Sequence, residues 1–143
     1  MWTIVYWTLM GAFLLSAALN LAHVRAGFLT SYLADVSVPA LLYVLARELA
    51  PGKRLFLPSR LRDWLRRSPD RAAALIFAAS AATELSQIAW PRGLFSGRFD
   101  PWDIAAYAAG LVACRVLDRR ERPPQEARSS DARSHPPSVA ARS

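Results

Sequence analysis

The sequence predicts an all-α integral membrane protein, a bundle of four transmembrane helices with both termini on the cytoplasmic side. Three observations lead there. Apolar residues make up 53% of the chain yet stand beside 18 lysines and arginines, so the two sets must be segregated. Long apolar runs recur at about 2–24, 31–49, 72–90 and 101–117, lengths that as helices cross or nearly cross a hydrocarbon layer about 30 Å thick. The basic residues alternate between the sides of those runs. Lys53, Arg54, Arg60, Arg62, Arg66, Arg67 and Arg71 fall between the second and third runs, and Arg115, Arg119, Arg120, Arg122, Arg128, Arg133 and Arg142 follow in the last run and tail. The other connections carry only Arg25, Arg92 and Arg98, which places them outside.

The first run, Trp2 to Val24, is uncharged, and the absence of Lys or Arg from Met1 to Tyr6 favours a retained span over a cleaved signal peptide. The second carries Asp35 near its start, Pro39, which is expected to kink it, and Arg47 with Glu48 near its end. The third follows Asp70, read as its N-cap, and stops at Pro91. The fourth opens on Asp100 as N-cap with Pro101 in the first turn and ends near Leu117. Between the second and third runs, SRLRDWLRR (59–67) puts Leu61, Trp64 and Leu65 on one face among arginines, the pattern of a short interfacial helix that anchors the chain or meets anionic lipid.

The helical domain thus occupies 1–121, and the Pro- and Arg-rich remainder, 122–143, is expected to be a disordered cytoplasmic tail because it has almost nothing to bury. A net charge of +7 would ordinarily raise nucleic-acid binding, but cations set in blocks between apolar runs belong to membrane topology, so no nucleic-acid partner is expected. The lone Cys114 excludes an intramolecular disulfide and a cysteine zinc knuckle, and reads as a packing residue.

Depth singles out the candidate site. Ser16, Asn20 and His23 share a face of the first run, and Tyr32 and Asp35 lie three apart at the outer end of the second. Ser80, Glu84 and Gln87 repeat the four-and-three spacing, with Glu84 six residues before Trp90, about 9 Å along the axis. Asp103, Tyr107, Gly110 and Cys114 form a stripe on the fourth, and Trp90 and Trp102 mark the outer interface. Four polar stripes at one depth predict one outer cavity lined by Tyr32, Asp35, Glu84, Gln87, Asp103 and Tyr107. The connection PRGLFSGRFD (91–100) is a candidate lid with Arg92 and Arg98 as cations. A carboxylate at the depth of Glu84 costs several kcal/mol unless paired, hydrated or protonated, so it must face the interior. Simpler readings stand beside these: Ser16 and Asn20 as interhelical glue, His23 as an interface residue, Asp103 as an acid favoured by the helix dipole.

The motifs YLAD (32–35), ELSQ (84–87) and FDPWDIAAYAAG (99–110) resemble those of an uncharacterised family of small bacterial membrane proteins akin to the VanZ-like proteins, whose namesake is associated with teicoplanin resistance. The likeness covers roughly residues 20 to 117 and singles out Tyr32, Asp35, Glu84, Gln87, Phe99, Asp103, Tyr107 and Gly110; Ala34 stands where that pattern usually has glycine. It implies a multi-pass protein of a bacterial inner membrane and no established activity. The residues leave three functions open beside a purely structural role as an assembly factor. The first is an envelope protein binding a lipid head group, lipid-linked cell-envelope precursor or glycopeptide-like ligand, with Arg92 and Arg98 on phosphate or carboxylate. The second is an intramembrane hydrolase or metal site with Glu84 as catalytic base and Asp35, Glu84 and Asp103 as candidate ligands, though neither an H-E-x-x-H motif nor a nucleophile triad is present, so the reading leans away from an enzyme. The third is an ion- or proton-coupled transporter relaying through Glu84, for which so few helices would need an oligomer. No cofactor is named by any motif.

Overall fold

The computed structural model describes residues 1–23, 32–53, 55–89 and 100–121. These form α1 (Trp2–Leu21), α2 (Leu33–Ala46), α3 (Ser59–Arg66), α4 (Pro69–Ala89) and α5 (Pro101–Glu121), with no strand among the described residues. The expected tail and the 91–99 connection lie outside them, as do Trp90, Arg92, Arg98 and Phe99.

The all-helical class stands, while the expected set of four spans narrows. Among the described residues α1 alone is both long and apolar enough to cross a membrane, and it lies near the N-terminus. The second run yields a helix of 14 residues, about 21 Å long, because Glu48 takes φ 51° and turns the chain. The Leu49 amide reaches back to the Val44 carbonyl at 3.0 Å and the Glu48 amide to Leu45 at 3.1 Å, the paired bonds of a Schellman cap with Glu48 in the left-handed position that glycine usually fills. A turn follows at once, closed by Lys53 N–H to Ala50 O at 3.1 Å with Gly52 at φ 68°. In α4, Ser80, Thr83, Glu84, Ser86 and Gln87 dilute the apolar content, as Arg115, Asp118 and Arg119 do in α5.

Two further boundaries and one buried face differ from expectation for physical reasons. The third helix starts at Pro69, so Asp70 lies inside the first turn instead of capping it, and its carboxylate pairs with Arg115 and Arg119 of α5. The fourth helix continues past Leu117 to Glu121, because those pairings and the buried Asp118 hold its charged last turns against the neighbouring helices. On α3 the apolar face divides: Leu65 is 2% exposed and joins the core, whereas Leu61 and Trp64 are 36% and 41% exposed. Helix α2 runs unbroken through Pro39, whose missing N–H leaves the Asp35 carbonyl without its usual helical partner.

Helix α2 is the hub, packed against α1, α3, α4 and α5, while α1 packs on α2 and on no other described helix. Tyr32 meets Asp100 at one end and Arg47 meets Asp118 at the other, so α2 and α5 run parallel. They approach very closely: a Cβ on Gly110 would overlap the backbone carbonyl of Val36 and touch Ala40 Cβ. Tyr43, Val44 and Ala40 of α2 fill this core with Leu111 and Cys114 of α5 and Ala72 and Ile76 of α4.

Candidate functional site

At the end where α2 and α5 begin, three carboxyls gather. Asp100 caps α5, its Oδ1 accepting the Trp102 amide at 2.9 Å, as its place before Pro101 predicts. That cap fixes Asp103 in the first turn, just as Asp35 sits in the first turn of the parallel α2. Both acids therefore lie at the positive end of a helix dipole. The Asp35 carboxyl lies beside the Asp103 carboxyl and the Tyr107 hydroxyl.

Glu84 enters from the antiparallel α4 and is 5% exposed. Tyr107 Oη donates to Glu84 Oε1 at 2.7 Å, and Gln87 Nε2 donates to the same oxygen at 3.4 Å. Glu84 Oε2 and Gln87 Oε1 are buried and lack a hydrogen-bond partner among the described residues. Tyr32 closes the rim by donating to Asp100 Oδ2 at 3.4 Å. Asp35, Glu84, Gln87, Asp103 and Tyr107, drawn from three helices, thus occupy one place. The Gly110 contact makes this possible, since it sets α2 and α5 close enough for their first-turn acids to meet.

The set is rich in acceptors and poor in donors. It is suited to a ligand that brings N–H or O–H groups or a positive charge, and unsuited to phosphate unless cations join it. Arg92, Arg98 and Phe99, expected to complete it, lie outside the described residues. Among the described residues no group of three or more His, Cys, Asp and Glu is arranged to hold a metal ion, so the geometry lends no support to Asp35, Glu84 and Asp103 as metal ligands. The α1 stripe stands differently: Asn20 Nδ2 donates to its own helix at Ser16 O, 3.0 Å away, and His23 is exposed with φ 54°.

A second polar cluster, at the opposite end of the same helix pair, is absent from the sequence reading. Asp118 is fully buried; its Oδ2 accepts from Tyr43 Oη at 2.8 Å and from Arg47 Nε at 2.7 Å. Arg47 Nη1 also donates to the Leu65 carbonyl at 3.3 Å and to that of Arg66, tying the end of α3 to α2. The signal was present: Asp118 prolongs the stripe of Asp103, Tyr107, Gly110 and Cys114 by one turn, and Tyr43 and Arg47 are four apart. Ending the last helix at Leu117 hid it.

The chain matches no family model, no curated protein and no solved structure. The likeness to the VanZ-like proteins therefore rests on the motif residues alone.

Proposed function

We propose that the chain is a multi-pass protein of a bacterial inner membrane whose outer acidic cluster holds the ammonium or N–H-bearing head of an amphiphile, such as an aminophospholipid or a lipid-linked envelope precursor. Apolar exposure supports the membrane setting. Ile4, Leu14 and Leu21 on α1 are 72%, 57% and 82% exposed, Ile88 on α4 60%, and Val112 on α5 53%, a surface that lipid covers and water does not favour.

One observation carries the ligand: Glu84 is a deeply buried carboxylate with one oxygen engaged by Tyr107 and the other left without a donor among the described residues, beside two further carboxyls. A buried charge in that state calls for a donor, and an ammonium group supplies three together with the opposing charge. The likeness to VanZ-like proteins agrees in placing Glu84, Gln87, Asp103 and Tyr107 among the motif residues.

Native mass spectrometry of the full chain, released from micelles holding equal amounts of phosphatidylethanolamine and phosphatidylcholine, tests this reading. The ethanolamine lipid, which has ammonium protons, should be retained by the parent and lost from Glu84→Gln. Equal retention of both lipids, or a preference that survives the substitution, would reject it.

A further inference from the structure

The end of the molecule opposite the carboxylate cluster has a surface of its own. Arg47, the C-cap of α2, bonds the last carbonyls of α3, so α3 lies across that end. Aromatic side chains project from it. Phe56 is 105% exposed, with none of the described residues packed against it, and Trp64 and Trp7 are 41% and 57% exposed. Cations sit on the same rings: Lys53 Nζ lies 5.2 Å from the Trp7 centroid, and the Arg71 guanidinium carbon lies 5.4 Å from that of Trp64.

The charges at this end divide into two sets. Glu48 is paired with Arg62 and Arg66, and Asp70 with Arg115 and Arg119. Among the described residues no carboxylate lies within ion-pair distance of Lys53, Arg60, Arg67 or Arg71; Asp63, on α3 itself, reaches none of them. Cations without acids, interleaved with exposed aromatics, need a partner that is negatively charged and apolar a few ångströms deeper. A soluble polyanion satisfies the first requirement and leaves Phe56 and Trp64 in water. A bilayer interface bearing anionic lipid satisfies both.

We propose that this rim, built on Lys53, Phe56, Trp64, Arg67 and Arg71, docks into the headgroup layer of anionic phospholipid, with the two aromatics inserted at the acyl boundary and the cations on lipid phosphates. It rests on the membrane-spanning reading above and is independent of what occupies the carboxylate cluster. Each cation near an anionic surface contributes a factor of about five in partition.

The test places the full chain in nanodiscs of phosphatidylcholine with a minority of phosphatidylglycerol, one lipid brominated at a time. Trp64 quenching is taken as the difference between the parent and Trp64→Phe. Brominated phosphatidylglycerol should quench Trp64 more than its share of the lipid, and Lys53→Gln, Arg67→Gln and Arg71→Gln together should bring that quenching down to about its share. Phe56→Ser, at a fully exposed side chain, should weaken quenching by both lipids without unfolding the chain. Equal quenching per lipid in the parent, or enrichment that survives the triple substitution, would overturn the proposal. So would equal quenching combined with tight binding of a duplex oligonucleotide in physiological salt, which assigns the cations to nucleic acid. Release of the parent chain from native membranes by alkaline carbonate would overturn the spanning reading, and the rim with it; an integral chain without enrichment overturns the rim alone.

Discussion

Arg47 and Asp118 form an ion pair of 2.7 Å that is 5% and 0% exposed, formed between the C-terminal halves of two parallel helices. Neither charge has water to fall back on. Arg47→Met strands the Asp118 carboxylate and is expected to cost about 3–5 kcal/mol, while Arg47→Met combined with Asp118→Leu should recover much of that loss. Thermal unfolding in detergent separates the cases, and a parental midpoint for Arg47→Met alone would show that the pair does not hold the helices.

Gly110→Ala sets two effects of opposite sign against each other. Alanine favours a helix interior over glycine by about 1 kcal/mol, yet its methyl would overlap the Val36 carbonyl. Backbone cannot yield as a side chain can, so net destabilisation of about 1–3 kcal/mol is expected. A raised melting temperature would mean that α2 and α5 lie farther apart than described.

Tyr107→Phe removes the 2.7 Å donor to Glu84 and leaves the longer Gln87 contact of 3.4 Å, a loss of about 1–3 kcal/mol. Glu84→Gln keeps the size and removes the charge, so it is expected to cost less. The reverse order in urea or thermal unfolding would show that the Glu84 charge is balanced by a partner.

Asp70 supplies a pH dependence. The hydrogen bond from Arg115, with Arg119 beside it, holds this carboxyl below its ordinary value of 3.8. A group whose pKa is lowered by folding contributes stability above its unfolded value and loses it as pH falls through the folded one. Stability should therefore decline below about pH 4. At 48% exposure the effect is small and salt-sensitive. Asp70→Asn should remove that part of the decline, and an unchanged acid limb would show that the pairing does not persist in solution.

Orientation is open to cysteine labelling, because Cys114 is buried and should stay silent. In intact cells, a cysteine replacing Trp102, 69% exposed at the end of the carboxylate cluster, should react with an impermeant maleimide if the proposed orientation holds, and one replacing exposed Ser59 should not. The opposite pattern would invert the topology.

The helices and the convergence of Asp35, Glu84, Gln87, Asp103 and Tyr107 were legible because both follow from periodicity. Glu84 and Gln87, and Asp103 and Tyr107, lie at helical spacings on adjacent elements, so a register that brings one pair together brings the others. The ends of elements were less legible. Asp70 has the composition of an N-cap, but two arginines brought by a distant helix captured its carboxylate. Glu48 stops α2 in a left-handed conformation that no local preference of glutamate signals, where Arg62 and Arg66 pair with its side chain. Asp118 stayed hidden because a charge at a helix end reads as solvated until its partner, Arg47, is known.

Helix α2 is the most enclosed of the five and, with 14 residues, much shorter than α1, α4 and α5, which have 20, 21 and 21. Asp35 and Arg47 stand twelve positions apart on it, about 18 Å along the axis. In the spanning orientation proposed above, the weakly polarisable layer between the two charged clusters is therefore thinner than the roughly 30 Å of hydrocarbon around it. A voltage across the membrane would fall over that shorter path, and the field along α2 would be steeper by about 1.7-fold. The two clusters would then stand as the plates of a small capacitor, and a proton or cation arriving at the outer plate would sense the cell's membrane potential.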